Sequence, residues 1–505
     1  MERSNHKNIM ILGTASSVGK SIITTGLCRV FIQDGYSVAP FKSQNMSLNS
    51  FITDDGLEMG RAQVVQAIAS KIKPKAYMNP ILLKPSGDSR SQVIINGKAR
   101  ESMAADDYFK FKPKLKSIIM ENYNRIVENF DLSVIEGAGS CAEINLAEND
   151  IVNMGMAEMA NAPCILVSDI ERGGVFASIV GSLQLLPKNQ RERIKGVIIN
   201  KFRGDISLFN SGVEMLENII NLPVLGVVPF KKFYIEDEDG VSDIFKNSKE
   251  SKKSDTTNIE IVVVKLPHIS NFTDFEIFTI IPSVDLKFVT KAEEIKDPDI
   301  IIIPGSKNSI EDLIFLKTEG LDKKILEMER LGKIIFGICG GFQILGNSIS
   351  DPKGVESTTK TIEGLKLLDI DTTMESSKRT LQVNIKINSN DPFFNNLNGN
   401  YLEGYEIHMG KSFGDDSKNM FTKTKSEVSS IKKRNIFGSY LHGIFDNLKF
   451  TEEVINLARS KRGLHHQKID IPLKDFKEQE YNRLATHMRR FIDIDKIYKI
   501  MGVER

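Results

Sequence analysis

Short apolar runs alternate with amphipathic stretches along most of this chain. NIMILG is followed by KSIITTGLCRVFIQDG, then YSVAPFK, and further on LSVIEGAGS, PCILVSDI and KGVIINKF. Runs of four to seven β-prone residues separated by helical periodicity predict parallel strands with covering helices. The pattern breaks at KNSKESKKSDTTN, residues 246–258, which is polar, charged and without apolar residues, and reads as a linker. It resumes with IEIVVVKLP, DIIIIPGS and KIIFGICGG. The expectation is therefore α/β with two doubly wound domains of mainly parallel sheet: 1–245, and 259–450 after the linker. Residues 451–505, from TEEVINLARSKRG onward, read as a mostly helical C-terminal segment interrupted by HHQKIDIPLKD.

Composition narrows the class. A length of 505 residues exceeds one core and suggests roughly two to four domains. Lys+Arg 67 against Asp+Glu 66 gives a formal charge of +1, so no global field argues for nucleic acid or an anionic membrane surface. A small-molecule partner is expected, and a homo-oligomer is left open. The longest apolar runs are too short to span a bilayer, and IMIL leads into a glycine-rich loop and not a cleavage site, so the expected location is cytoplasmic. The four cysteines, Cys28, Cys141, Cys164 and Cys339, form no C-x-x-C pair, which disfavours a disulfide framework or zinc site.

Two loops carry chemistry. The first runs Gly13, Thr14, Ala15, Ser16, Ser17, Val18, Gly19, Lys20, Ser21 between a strand and a helix. A phosphate-binding loop requires that setting: loop amides face phosphates, Lys20 neutralises them, and the Ser21 hydroxyl ligates Mg²⁺. Thr14 stands at the nominal first glycine, a departure from the usual spacing. The expected nucleotide-binding residues are Gly13, Thr14, Ser17, Val18, Gly19, Lys20 and Ser21. Glu136, ending an apolar strand before Gly-Ala-Gly, is the candidate second Mg²⁺ ligand, and Asp169 is another strand-end acid. The second loop is Gly337-x-Cys339-x-Gly341 between an apolar run and FQILG. Strand, sharp turn and helix present a nucleophile at a helix N-terminus, where amides are free to bind an oxyanion. A turn at 304–306 and Gly340 are candidate oxyanion donors, with Ser306 named there.

Taken in order, FKSQNMSLNS, DGLEMGRAQ, VIEGAGSCAEINL, SDIERGGVFAS, NKFRGD, PGSKNSIEDL, FGICGGFQILG, EGYEIHMG and GSYLHGIFDN resemble the cobyric acid synthases. That resemblance implies a dethiobiotin synthetase-like P-loop domain and a class I type glutamine amidotransferase domain. It implies ATP- and glutamine-dependent amidation, with Mg²⁺, of carboxylates b, d, e and g of adenosylcobyrinic acid a,c-diamide. It makes Cys339 the glutaminase nucleophile and His442 its base. Many class I glutaminases carry a glutamate two residues after that histidine; here the position is Ile444, which implies a Cys-His dyad with Asp446 at most a helper. His408, inside EGYEIHMG, reads as a hydrogen-bonded sheet histidine. Cys141 stands where relatives commonly have proline, and Glu171 where they often have aspartate. Lys42, Gln44, Asn45, Glu58 and Asp169 are substrate-binding candidates, Asp54 and Asp55 further contacts, and IEDEDG at 235–240 a solvated loop. The rival readings are cobyrinic acid a,c-diamide synthase, a partitioning or regulatory ATPase, and a binding protein with an inactive glutaminase.

Overall fold

The computed structural model describes residues 6–87, 90–236, 257–422, 429–471 and 473–504. The expected linker lies outside them except for 257 and 258, as do positions 237–240 of the acidic loop. The chain divides into two units. The first comprises Met1–Ser47, Glu58–Glu236 and Lys474–Arg505, the second Leu48–Leu57 and Asp237–Leu473.

In the first unit, Lys7–Gly13 is a central strand flanked by Leu132–Glu136 and Cys164–Asp169, both parallel to it. Val38–Phe41 extends the sheet on one side, Ile194–Phe202 and Val224–Pro229 on the other. These strands are buried almost throughout, as a parallel sheet covered on both faces requires. A smaller sheet joins Gln44–Met46, Ile81–Gly87, Arg90–Ile95 and Lys98–Ala104.

The C-terminal residues do not form a body of their own. Helices Leu473–Phe491 and Ile494–Met501 place Leu484, Met488, Ile497 and Tyr498 in the same core as Ile9, Ile23 and Leu27. Gly26 leaves room for the first of these helices, since a Cβ there would lie 2.5 Å from Met488 Cγ, and Tyr481 adds a contact with Val65 and Ala69. Glu236, expected in a solvated loop, is instead half-buried and paired with Arg61 and Lys477.

In the second unit, Ile334–Ile338 lies between Ile300–Ile303 and Ile436–Ser439, all parallel. Ile259–Val264 and Val284–Val289 continue the sheet in parallel, while Ser430–Lys433 and Met420–Thr422 close the other edge antiparallel. A second sheet, built on the antiparallel pair Asp371–Lys386 and Tyr401–Phe413, adds a mixed layer that the alternating pattern did not predict. Helix Leu448–Lys461 packs here, with Phe450 and Val454 in the core. Among the described residues no helix is long and apolar enough to cross a membrane.

Candidate active site

Three adjacent parallel strands of the second unit deliver the glutaminase candidates at their C-terminal ends, where open α/β sheets place their sites. Ile334–Ile338 runs into Cys339, Ile300–Ile303 into Pro304–Ser306, and Ile436–Ser439 leads on to His442. Cys339 has φ 50° and ψ −107°, a conformation costly for a residue with a side chain and typical of a nucleophile elbow. Glycine makes the turn feasible: a Cβ on Gly341 would lie 2.0 Å from Ile303 O, and one on Gly337 2.6 Å from Gly341 O. The Cys339 thiol donates to Ile407 O at 3.5 Å.

Ser306 lies beside Gly340, whose Cβ, if present, would come 2.9 Å from Ser306 N. Ser270 N–H donates to Gly305 O and Lys307 N–H to His268 O, so the bridge between Ile269 and Ser306 leaves Ser306 N–H directed away from it. Ser306 Oγ donates to Asp312 Oδ2 at 2.6 Å and accepts from Asn308 N–H, which pins the turn.

His442 is fully buried, and its Nδ1 lies 2.7 Å from Asp274 Oδ2; Asp274 Oδ1 accepts from Gly443 N–H at 2.9 Å. The expectation of a dyad helped by Asp446 is therefore corrected: the carboxylate on the ring belongs to Asp274. Burial opposes a charged ring, but the Asp274 carboxylate and the nearby Cys339 outweigh it and push the His442 pKa up to about 10. Asp274 sits 168 positions from His442 in an unremarkable SNFTDFE run, and only its near-complete burial marks it. Sequence reasoning also missed Gln343, which accepts from Ser309 Oγ and donates to Tyr440 Oη beside the elbow. His408 takes the structural place expected of it, Nδ1 on Gly410 O and its ring stacked on Tyr440.

In the first unit, the loop after Lys7–Gly13 turns on two left-handed residues, Ser17 (φ 57°) and Gly19 (φ 99°), before helix Lys20–Gln33. Gly13 and Thr14 serve the turn differently from Ser17 to Ser21. The Thr14 amide donates to Val167 O as a continuation of the sheet, and a Cβ on Gly13 would lie 2.8 Å from Lys20 Nζ. The Val18 side chain is in the core and its carbonyl accepts from Asn200. Lys20 Nζ donates to the Ala15 and Gly139 carbonyls, both at 2.9 Å.

Ser21 Oγ donates to Glu136 Oε1 at 2.9 Å. A hydroxyl and a carboxylate converging beside loop amides are the donor set that a magnesium-nucleotide takes. Glu136 is buried, which would raise its pKa, but Lys42 at 2.9 Å and hydrogen bonds from Gln66 and Ser21 hold it below the usual range. The remaining candidates sit in internal pairs. Glu58 binds Lys84 with both buried, Gln44 accepts from Tyr108 Oη, Asn45 donates to Gln63, and Asp169 pairs with Lys201. Cys141 is buried and its thiol is pushed up to about 12 by desolvation.

Comparison with known proteins agrees with both halves. A CobQ/CobB/MinD/ParA nucleotide binding domain matches residues 9–240, and a CobB/CobQ-like glutamine amidotransferase domain matches residues 260–450. A cobyric acid synthase of Thermoanaerobacter sp. (strain X514) is 52% identical over 503 residues, 98% of each chain. One of Caldanaerobacter subterraneus subsp. tengcongensis is 51% identical with the same coverage, and one of Clostridium botulinum (strain ATCC 19397 / Type A) is 50% identical over 98% of this chain and 99% of its own. With both domains matched in order and half of all positions shared along nearly the whole length, the chain belongs to the cobyric acid synthase family.

Proposed function

We propose that this enzyme amidates carboxylates b, d, e and g of adenosylcobyrinic acid a,c-diamide, using ATP and ammonia released from glutamine at Cys339. The observation that carries the glutaminase half is Cys339 and His442 following neighbouring strands, with Asp274 of the turn Phe272–Thr279 on the His442 ring. Asp274 holds Nδ1–H, so Nε2 is the atom that takes the thiol proton. The thiolate attacks the glutamine amide carbon, and the oxyanion is met by the amides of Gly340 and Ser306; one such donor is worth roughly 10² to 10³ in rate. His442 then gives its proton to the leaving ammonia, and water, deprotonated by the same ring, cleaves the thioester to glutamate.

In the synthetase half, the substrate carboxylate takes the γ-phosphoryl group of ATP, and ammonia displaces phosphate from the acyl phosphate. Lys20, which now donates to the Ala15 and Gly139 carbonyls, would neutralise phosphate charge, and Ser21 with Glu136 would hold Mg²⁺. Bound there, Mg²⁺ supplies charge neutralisation on the phosphate oxygens.

Mass spectrometry of adenosylcobyrinic acid a,c-diamide after incubation with ATP, Mg²⁺ and glutamine tests the reading. Successive carboxylate-to-amide conversions are expected. An unchanged diamide, with amidation of cobyrinic acid in its place, would transfer the reading to the a,c-diamide synthases. Cys339→Ala is expected to abolish the glutamine-supported reaction and leave the ammonium-supported one.

A further inference from the structure

Ser306 owes its place to a carboxylate that stands outside the reaction itself. Strand Ile300–Ile303 passes into the turn at 304–306, and the stretch that follows Ile259–Val264 lies beside it, with Ile269 bridging Ser306 in antiparallel fashion. Asp312, in the first turn of helix Ser309–Thr318, is 0% exposed and reaches both chains. Its Oδ2 accepts from Ser306 Oγ–H at 2.6 Å, and its Oδ1 accepts from His268 N–H at 3.2 Å and from His268 Nδ1–H at 2.8 Å. A buried carboxylate is costly unless donors surround it. Three donors and the N-terminal end of its own helix offset that cost, and two chains are thereby held to one element.

That element is anchored in the core. Ile310, Leu313 and Leu316 of the helix are buried, and Asn308 caps it by accepting from Glu311 N–H at 3.2 Å. Ser306 Oγ also accepts from Asn308 N–H at 2.9 Å, so the hydroxyl is committed both as donor and as acceptor. The Gly305 carbonyl and the Ser306 N–H belong to one peptide plane. Ser270 N–H donates to that carbonyl at 2.8 Å, which turns the Ser306 N–H to the opposite edge, beside Gly340. The direction of the N–H therefore depends on the 268–270 stretch and the 304–306 turn keeping their register, and Asp312 is the side chain that grips both.

We propose that Asp312 is a positioning residue for the oxyanion site: by tying the Ser306 hydroxyl to the His268 main chain, it keeps the Gly305–Ser306 peptide turned so that its N–H meets the oxygen of the tetrahedral adduct on Cys339. The inference deepens the glutaminase reading and rests on it. An oxyanion donor is aimed at where negative charge develops and not at the planar amide, so misaiming it lowers kcat and leaves KM in place. In Asp312→Asn a single oxygen remains for two sets of donors. The N–H and Nδ1–H of His268 keep it, and the new NH₂ faces Ser306 Oγ, whose proton loses its acceptor. The Ser306 anchor is cut while the shape of the side chain is kept.

Asp312→Asn, Ser306→Ala and the double variant are compared with the wild-type chain in two assays. One is steady-state glutamate release with glutamine varied and ATP, Mg²⁺ and adenosylcobyrinic acid a,c-diamide present. The other is iodoacetamide alkylation of Cys339, followed by peptide mass spectrometry. Alkylation displaces iodide from a saturated carbon and forms no oxyanion, so it reports an intact elbow and is expected to keep the wild-type rate. Each single variant is expected to lower kcat by roughly 10- to 10²-fold, short of the roughly 10²- to 10³-fold that outright loss of a donor costs, with KM unchanged. The double variant is expected to lose no more than the larger single loss, because both substitutions cut one contact. A loss carried by KM, a double variant whose loss is the product of the two, or an unchanged kcat in Ser306→Ala overturns the proposal. If Asp312→Asn also slows alkylation, its elbow is disturbed and Ser306→Ala decides by the same kcat and KM criteria. No glutamate release by the wild-type chain overturns the glutaminase reading instead.

Discussion

Replacing Asp274 by asparagine keeps the shape of the side chain and removes its charge. In the native site Oδ2 accepts from His442 Nδ1–H at 2.7 Å and Oδ1 accepts from Gly443 N–H at 2.9 Å. An amide has one acceptor for these two donors. If its oxygen stays on the ring, its NH₂ faces the Gly443 N–H, and a buried donor pair of that kind costs about 1–3 kcal/mol. If the NH₂ faces the ring, His442 must carry its proton on Nε2, the wrong tautomer for accepting the Cys339 proton. The same exchange at a serine-histidine-aspartate site lowers turnover about 10⁴-fold. Loss of the carboxylate charge also removes what raises the His442 pKa against its burial. Asp274→Asn is therefore expected to lower steady-state glutamate release between roughly 10²- and 10⁴-fold, with ammonium-supported amidation retained. Asp446→Asn, which leaves the ring's partner in place, is expected to cost little. Glutamate release measured on both variants decides the matter: near-wild-type turnover in Asp274→Asn, or an equal loss in Asp446→Asn, would refute the triad.

Lys20→Ala is expected to suppress amidation from glutamine and from ammonium alike, because it acts on phosphoryl transfer; full ammonium-supported synthesis would remove the loop from the mechanism. Glu136→Gln is expected to raise the magnesium concentration needed for half-maximal synthesis, and it also removes the carboxylate charge beside the buried Lys42, so its thermal midpoint should fall; an unchanged magnesium titration argues against ligation. His408→Ala removes a ring stacked on Tyr440 and is expected to reduce stability more than glutaminase turnover, whereas His442→Ala should abolish turnover; thermal denaturation alongside glutamate release distinguishes them.

The backbone setting of both candidate loops was legible because each is local. Gly337-x-Cys339-x-Gly341 and Gly19-Lys20-Ser21 lie between a strand and a helix, and glycine at a turn announces a backbone that other residues resist. The same holds for the alternating pattern that predicted two α/β units. Side-chain partners are another matter. Lys42 reaches Glu136 because sheet order sets their strands side by side, and Asp274 reaches His442 and Ser50 reaches Asn271 because the turn Phe272–Thr279 packs against them; none of these meetings leaves a mark on the spacing of residues along the chain. The run FKSQNMSLNS shows the division most plainly. Read as one polar loop, it is split by the fold, with Lys42 to Ser47 in the first unit and Leu48 to Ser50 in the second. The helical segment after residue 473 was recognisable as helix from its periodicity, but which core it covers was not, since an apolar stripe specifies that a surface is needed and not whose. Local geometry is written in neighbouring residues; which charges meet is decided by long-range packing, and here that packing turned a histidine without an orienting acid into one held by Asp274.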